Sequence, residues 1–446
     1  MVICEKVGLA SMKKERAMPG VKGNAVIGQS GGPTAVINRS FIGAIVEARK
    51  HEEILEFYGA RHGIQGMLDN EYVPLFEQPD FVLQQIAKTP AAALGSIRHK
   101  PTKDECRTIF NNFKQMNVRY FFYIGGNDSA ETAYIINGFA AEEGYDLRVV
   151  HIPKTIDNDL LVTDHCPGFG SAARFVACAF IGDNQDNRAL KGVKINVVMG
   201  RNAGFLTAAS LLAKQYPKDG PHLVYIPEVP FDIDRFLEDV DKTFKEHGRA
   251  LIAISEGINK QGNYNLKNGE KPEYISTWLD SMVSLNLPKK YIPKETGKGV
   301  EMDSHGNVSL SGSSMMGDIL ATIVKSTLGI KRVRADTLGY PQRSFPLAIS
   351  ETDGTEAFRV GVDAVIAATE TNFDEGSIAI RRVDGGGGYN IETFITPLQS
   401  VQRQTKNFPK EWITAEGKID ERKFGEYAAP LVGELPMAGR FVRAIF

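Results

Sequence analysis

Val149-Val150-His151-Ile152-Pro153-Lys154-Thr155-Ile156-Asp157-Asn158-Asp159 is the stretch on which the reading of this 446-residue chain turns. Val149–Ile152 is short, apolar and rich in β-branched residues, the pattern of a strand buried on both faces of a parallel sheet. It ends in proline, lysine and two aspartates spaced i, i+2, and open α/β sheets bind their ligands beyond the carboxyl ends of such strands. Similar runs lie at Ala25–Ile27, Tyr120–Ile124, Ile195–Met199, Leu223–Ile226 and Leu251–Ile254. Segments with helical spacing separate them. In Ser171–Phe180, residues Ala172, Ala173, Phe175, Val176, Ala179 and Phe180 share one face, and Ser171 is placed as the N-cap. Strand–helix alternation on this scale predicts an α/β protein with doubly wound parallel sheets.

Composition narrows the function classes. Lys plus Arg number 52 against 54 Asp plus Glu, a formal net charge of −2, so there is no electrostatic case for nucleic acid or an anionic membrane as partner. Hydrophobic residues at 42% and charged residues at 24% predict a well-cored globular chain. No apolar run approaches the roughly 20 residues of a membrane-spanning helix. Residues 1–22 are charged and aperiodic, and read as an extension without a secretory core. Cys4, Cys106, Cys166 and Cys178 lack CxxC spacing, and the histidines (His51, His62, His99, His151, His165, His222, His247, His305) lack zinc spacing; a reducing cytoplasm is the expected compartment. Only His99, next to Arg98, stands near a possible phosphate. Residues 259–310 are polar and read as an insertion, and Gly385–Gly388 reads as a turn.

The unusual residues recur at strand ends. Ala25–Ile27 runs into Gly28-Gln29-Ser30-Gly31-Gly32-Pro33-Thr34, a glycine turn that exposes backbone N–H groups and opens a helix, as an anion site requires. It matches neither GxGxxG nor GxxxxGK[ST]. Tyr120–Ile124 runs into Gly125-Gly126-Asn127-Asp128-Ser129. Lys154–Asp159 is too polar for a plain turn: a carboxylate there can take a proton while lysine neutralises a phosphoryl group, and an Asx-rich turn capping the next helix is the lesser alternative. Gly200-Arg201, Ser255-Glu256-Gly257, Arg334 and Leu338-Gly339-Tyr340-Pro341-Gln342-Arg343 add arginines suited to phosphate and a glutamate suited to sugar hydroxyls. Any one of these is ordinary; their coincidence points to a phosphosugar.

Taken together, Thr155-Ile156-Asp157-Asn158-Asp159, Met199-Gly200-Arg201 and Leu338–Arg343 make the chain resemble a 6-phosphofructokinase. The resemblance implies two doubly wound, Rossmann-like domains with the active site in the cleft between them. The phosphoryl-donor domain would span 23–168 plus about 344–400, and the sugar-phosphate domain 169–343 plus the C-terminal segment. Asp157 would be the proton acceptor for fructose 6-phosphate. Thr155, Ile156, Asp159, Met199, Gly200, Arg201, Glu256, Arg334, Tyr340 and Arg343 would bind the sugar phosphate. Gly31, Arg98, Asp128, Ser129 and Lys154 would meet the donor, with Mg2+ held at Asn127. The products would be fructose 1,6-bisphosphate and phosphate, in a homodimer or homotetramer whose subunits share sites.

Two positions bear on the donor. ATP-using members have glycine where Asp128 and Lys154 stand, and a carboxylate at Asp128 would repel a nucleotide's α-phosphate. Lys154 would add positive charge beside the phosphoryl in flight. The pair resembles the pyrophosphate-dependent branch. Rival readings are an ATP-dependent kinase and a silent regulatory subunit, though the latter should have lost Asp157. Asn127 replaces an aspartate common in relatives. Gly192 falls where relatives carry an arginine that reaches a neighbouring subunit's substrate, with Lys191 and Lys194 beside it. Acceptors such as sedoheptulose 7-phosphate would engage the same arginines.

Overall fold

The computed structural model describes residues 21–267, 270–275, 315–383, 388–402 and 404–441. The N-terminal extension, most of the expected insertion and Gly385–Gly387 of the glycine run lie outside the described residues. The strands are β1 Gly23–Gln29, β2 Ile54–Ala60, β3 Tyr72–Pro74, β4 Val118–Gly125, β5 Arg148–Pro153, β6 Val193–Val198, β7 Leu223–Tyr225, β8 Ala250–Ser255, β9 Val333–Thr337, β10 Glu375–Arg382 and β11 Ile391–Thr396. They form two sheets, in the orders β11-β10-β5-β4-β1-β2-β3 and β7-β8-β6-β9.

The chain divides into two compact units. The first takes the described parts of Met1–Lys154, Leu160–Pro167 and Thr355–Gln404; the second takes Thr155–Asp159, Gly168–Gly354 and Thr405–Phe446. The sequence reading carries the first domain through residue 168, but Thr155–Asp159 packs with the second unit. Thr155 bridges to Gly168, the Lys406 N–H donates to the Asp159 carbonyl at 2.7 Å, and Asn158 Nδ2 donates to the Tyr427 hydroxyl at 2.7 Å.

In the first sheet β10, β5, β4, β1 and β2 run parallel, and antiparallel β11 and β3 close the edges. Successive strand residues feed opposite cores. Ala25, Ile27, Tyr120, Phe122 and Ile124 pack on one face with Phe41 and Ile45 of the helix Ile37–Ala48. Val26, Phe121 and Tyr123 pack on the other with Phe110 and Phe113 of Lys103–Gln115 and Ile136 of Asn127–Glu142. Burial on both faces is why these runs are continuously apolar. The chain leaves β1 for β2 on one side, and β4 lies on the other, so the switch point falls between β1 and β4. The second sheet is all parallel, with its own switch at β6, flanked by β8 and β9. Its core joins Ile195, Val197, Ile252 and Ile254 to Phe236, Val240, Leu320, Val324 and Ile275.

One helix begins earlier than its apolar spacing suggests. It runs Phe169–Ala189, so Ser171 is its third residue rather than its N-cap. The cap comes from far along the chain: the Asp353 carboxylate accepts the N–H groups of Gly168 and Ser171 at 2.8 Å each and the Ser171 hydroxyl at 2.5 Å. A carboxylate at a helix N-terminus satisfies orphan donors and meets the positive end of the dipole.

In the first unit a buried histidine ties three segments together. His165 Nδ1 meets Asp164 at 2.8 Å and Nε2 meets Glu356 at 2.6 Å, while Tyr389 donates to Glu356 at 2.7 Å and Arg382 to Asp164 at 2.9 Å. Burial pulls the imidazole pKa down, but the hydrogen bonds and charges of Asp164 and Glu356 outweigh it and leave it raised. A histidine raised on folding contributes stability that is complete below its unfolded value of about 6.5 and is lost as pH rises through the folded value. The thermal midpoint should therefore fall as pH rises above about 6.5, and His165→Gln should flatten that slope in melts across the range.

Candidate active site

The residues expected to meet the donor converge at the switch point of the first sheet. After β1, the Ser30 N–H donates to the Ile124 carbonyl at 3.0 Å, and the Ser30 and Ser129 hydroxyls are hydrogen-bonded. Gly31 sits at φ +72°, where a side chain is strained, and an added Cβ would lie 3.3 Å from Lys154 Nζ. The Gly31 N–H donates to the Ile97 carbonyl at 3.1 Å, and Ser96 Oγ donates to the Gly31 carbonyl at 2.7 Å. The segment leading to exposed Arg98 is thus fastened to the glycine turn.

Lys154 leaves the end of β5 buried and donates from Nζ to the Gly32 carbonyl at 2.7 Å. Its backbone N–H and His151 Nε2 both donate to the Gly125 carbonyl, each at 2.9 Å. Burial pushes the His151 imidazole down to about 4, so the neutral ring supplies that N–H and shares its Nδ1 with Ser377 at 2.8 Å. Next come Asn127 and exposed Asp128, in the first turn of Asn127–Glu142, where a carboxylate suits the helix dipole. Asn127 Oδ1 accepts the Asp128 N–H at 2.9 Å. Gly31, Asn127, Asp128, Ser129 and Lys154 form one cluster. His99 is held by Glu105 at 3.1 Å and is accounted for structurally.

The second unit carries the residues expected to bind the acceptor. Asn158 takes φ +60°, a conformation asparagine tolerates, and reverses the chain between Asp157 and Asp159 beside buried Ile156. Thr155 Oγ1 accepts the Asp157 N–H at 3.1 Å and donates to Asp159 Oδ1 at 3.3 Å. Burial and then the Asp157 charge push the Asp159 carboxyl well up, against the opposing influence of Thr155 and Lys406. After β6, the Met199 N–H donates to Gln342 Oε1 at 3.2 Å, and Gln342 Nε2 donates to the Gly339 carbonyl at 2.8 Å. That side chain holds the Met199-Gly200-Arg201 turn beside the Tyr340–Arg343 turn, where the Arg343 guanidinium lies 4.7 Å over the Tyr340 ring. The Glu256 N–H donates to the Val198 carbonyl at 2.9 Å, and Ser255 Oγ donates to the Gly200 carbonyl at 2.6 Å. Arg201 and Glu256 both act on the Tyr274 phenol, whose pKa is raised chiefly by burial.

Arg334 stands apart from this group. It pairs in register with Lys194, near the amino ends of β6 and β9, and is exposed on an edge strand. Met199, Tyr340 and Arg343 follow the carboxyl ends of the same strands. Lys194 is taken up by Asp336, with Asp183 at 3.7 Å. A side chain at Gly192 would meet the Arg332 carbonyl at 2.5 Å, so the residue just before β9 fills that place. Among the described residues no cluster of three or more His, Cys, Asp or Glu could hold a metal, and no helix is long and apolar enough to cross a membrane.

A doubly wound α/β chain with glycine turns, buried lysine and paired carboxylates at its strand ends is built to handle phosphorylated ligands. The Phosphofructokinase family profile matches residues 24–368, and the chain belongs to that family. It is 46% identical to a pyrophosphate--fructose 6-phosphate 1-phosphotransferase of Rhodospirillum rubrum over 92% of this chain and 95% of that one. A protein of the same name from Xanthomonas campestris is 34% identical over 93% of each chain. A crystal structure of a pyrophosphate-dependent phosphofructokinase from Marinobacter aquaeolei superposes with a TM-score of 0.76 at 31% identity, covering 94% of both chains.

The close approach of two turns in the second unit gives a direct test. A Cβ at Gly257 would lie 2.0 Å from the Arg201 carbonyl oxygen. Gly257→Ala should cost about 1–3 kcal/mol, as overpacking does, and appear as a lower denaturant midpoint at unchanged slope.

Proposed function

We propose that this chain transfers a phosphoryl group reversibly from diphosphate to the C1 hydroxyl of fructose 6-phosphate, giving fructose 1,6-bisphosphate and phosphate. The observation that carries the donor assignment is the buried Lys154 ammonium against Gly31 and Gly32, with Asp128 exposed at the adjoining turn. The names of the relatives supply the sugar.

In this reading Asp157 accepts the C1 hydroxyl proton while that oxygen forms its bond to the terminal phosphorus. The bond from that phosphorus to the bridging oxygen breaks, and phosphate leaves. Thr155 fixes the loop by accepting the Asp157 N–H and donating to Asp159. Asp159, raised by burial and by the Asp157 charge, faces the Thr155 hydroxyl, which leaves Asp157 the role of base in this reading. Lys154 and Arg98 offset charge on the donor, Gly31 leaves room beside Lys154 by lacking a side chain, and Ser129 braces the turn. Met199, Gly200, Arg201 and Glu256 hold the sugar, and Tyr340 and Arg343 hold its 6-phosphate. Arg334, exposed on an edge strand, suits an acceptor bound by another copy in a homodimer or homotetramer.

The Asn127 amide oxygen, with no carboxylate cluster beside it, fits a hard cation that keeps most of its ligands as diphosphate oxygens and water. When bound with the donor, Mg2+ would be held there and would supply charge neutralisation at the phosphoryl oxygens. Buried free thiols at Cys106 and Cys166 suit a reducing cytoplasm.

Steady-state assays with each donor test the reading, and turnover with ATP but not diphosphate would overturn it. Asp157→Asn should lower kcat by at least ~100-fold with acceptor binding retained, as loss of a general base does. Donor choice separates the two remaining groups. Asp128→Gly should admit measurable ATP binding by calorimetry, because it removes a repulsive charge. Lys154→Gly should lower kcat with diphosphate more than it raises the diphosphate KM, because its charge acts on the transition state.

A further inference from the structure

One buried carboxyl in the second unit is absent from the mechanism above. Glu228 follows β7 and is fully buried. Its Oε1 accepts two backbone N–H groups, from Gly204 at 2.9 Å and from Phe408 at 2.8 Å. Gly204 ends the turn that carries Met199, Gly200 and Arg201 and leads into the helix Phe205–Ala208. Phe408 lies two residues beyond Lys406, whose N–H holds the Asp159 carbonyl at 2.7 Å. One oxygen therefore joins the segment that presents the sugar-binding arginine to the segment that holds the base loop. Neighbouring contacts brace the same junction: Asn263 Nδ2 donates to the Asn202 carbonyl at 2.8 Å, its N–H donates to the Pro227 carbonyl at 2.9 Å, and the Phe205 and Phe408 rings lie 5.1 Å apart.

The carboxyl is a costly way to fill this space. Oε2 is buried and has no hydrogen-bond partner among the described residues. Burial pushes the group up to about 7, with the Phe408 and Gly204 N–H donors pulling the other way. The titratable group that faces it is Tyr264, whose hydroxyl donates to the Phe408 carbonyl at 2.6 Å and whose pKa is raised by burial and by Glu228. Apolar fill would leave both N–H groups buried and unpaired. We propose that Glu228 is a positioning residue that couples the Arg201 turn to the Asp157–Asp159 loop through Gly204 and Phe408, so that sugar binding and base placement are set together. The proposal rests on the phosphofructokinase reading of those two segments.

The test is kinetics of Glu228→Ala, Glu228→Asp and Glu228→Gln with diphosphate and fructose 6-phosphate, together with amide hydrogen exchange on the same proteins. Alanine, and to a lesser degree aspartate, which is one methylene too short to bridge both donors, should lower kcat by ~10-fold or more. They should also raise the fructose 6-phosphate KM several-fold and leave the diphosphate KM within ~2-fold. Glutamine keeps an acceptor oxygen and should restore both parameters to within ~3-fold. Exchange should rise together in residues 199–205 and 155–160 of the alanine variant, or of the aspartate variant if alanine fails to fold. Unchanged kcat and acceptor KM alongside a lowered melting temperature would overturn the proposal and leave Glu228 a packing residue. So would exchange rising in only one of the two segments. An inactive wild type would refute the functional reading instead, and the exchange experiment would still decide the coupling.

Discussion

The Gly125 carbonyl accepts two hydrogen bonds, from His151 Nε2 and the Lys154 N–H, each at 2.9 Å, and the ligand end of the first sheet depends on them. Together they fix the point where β4 stops and the Gly126–Asp128 turn begins. They also fix the direction in which Lys154 leaves β5. Burial in the sheet keeps His151 neutral, so its Nε2–H donates to Gly125 while Nδ1 shares a hydrogen bond with Ser377. From that strand end the Lys154 ammonium reaches the Gly32 carbonyl. The strand ends, rather than the strands, carry the specificity of the fold.

Much of that arrangement is legible in the sequence. Tyr120–Ile124 and Val149–Ile152 read as buried strands because both faces are covered, and their continuous apolarity leaves no other reading. The glycine turns after β1 and β4 are legible for the same local reason. What escapes is everything set by distant partners. Asp353 caps Phe169–Ala189 from about 180 residues away, so the local pattern placed the cap at Ser171. Glu228 and Lys406 act on loops far from them in the chain, and neither belongs to a motif. β9 alternates exposed and buried residues at a sheet edge, which hides it among polar segments and leaves Arg334 grouped by sequence with turns that lie at the strand's other end.

Buried charge is concentrated in a few places, and each is compensated differently. His165 is flanked by two carboxylates, so its charged form is favoured despite burial. Lys154 gives a hydrogen bond to a backbone carbonyl. Asp159 and Glu228 are instead raised, and their protonated forms become accessible near neutral pH. The first arrangement contributes stability, whereas the raised carboxyls give it up as pH rises, since folding favours their protonated forms. Apolar side chains at 159 and 228 would avoid burying a carboxyl, but at 228 they would leave the Gly204 and Phe408 N–H groups unpaired. The two carboxyls are intelligible if the loops they hold must be placed more accurately than apolar packing would place them.

That requirement follows from the chemistry proposed for the site. In-line phosphoryl transfer asks little covalent work of the protein, and most of the barrier is lowered by position and by charge already in place. An error of about 1 Å in a base or a phosphate clamp costs orders of magnitude in rate. Asp157 sits on a loop whose regular pairing among the described residues is the single bridge from Thr155 to Gly168. Its placement therefore falls to Thr155, to Asn158 on Tyr427, and to the Lys406 N–H on Asp159. Each of these fixes the backbone and none need touch a substrate. In the proposed reading, the placement of the base thus depends on Thr155 and on the C-terminal segment, residues 405–427, which carries no phosphate-binding motif and whose sequence alone would pass for a structural appendage.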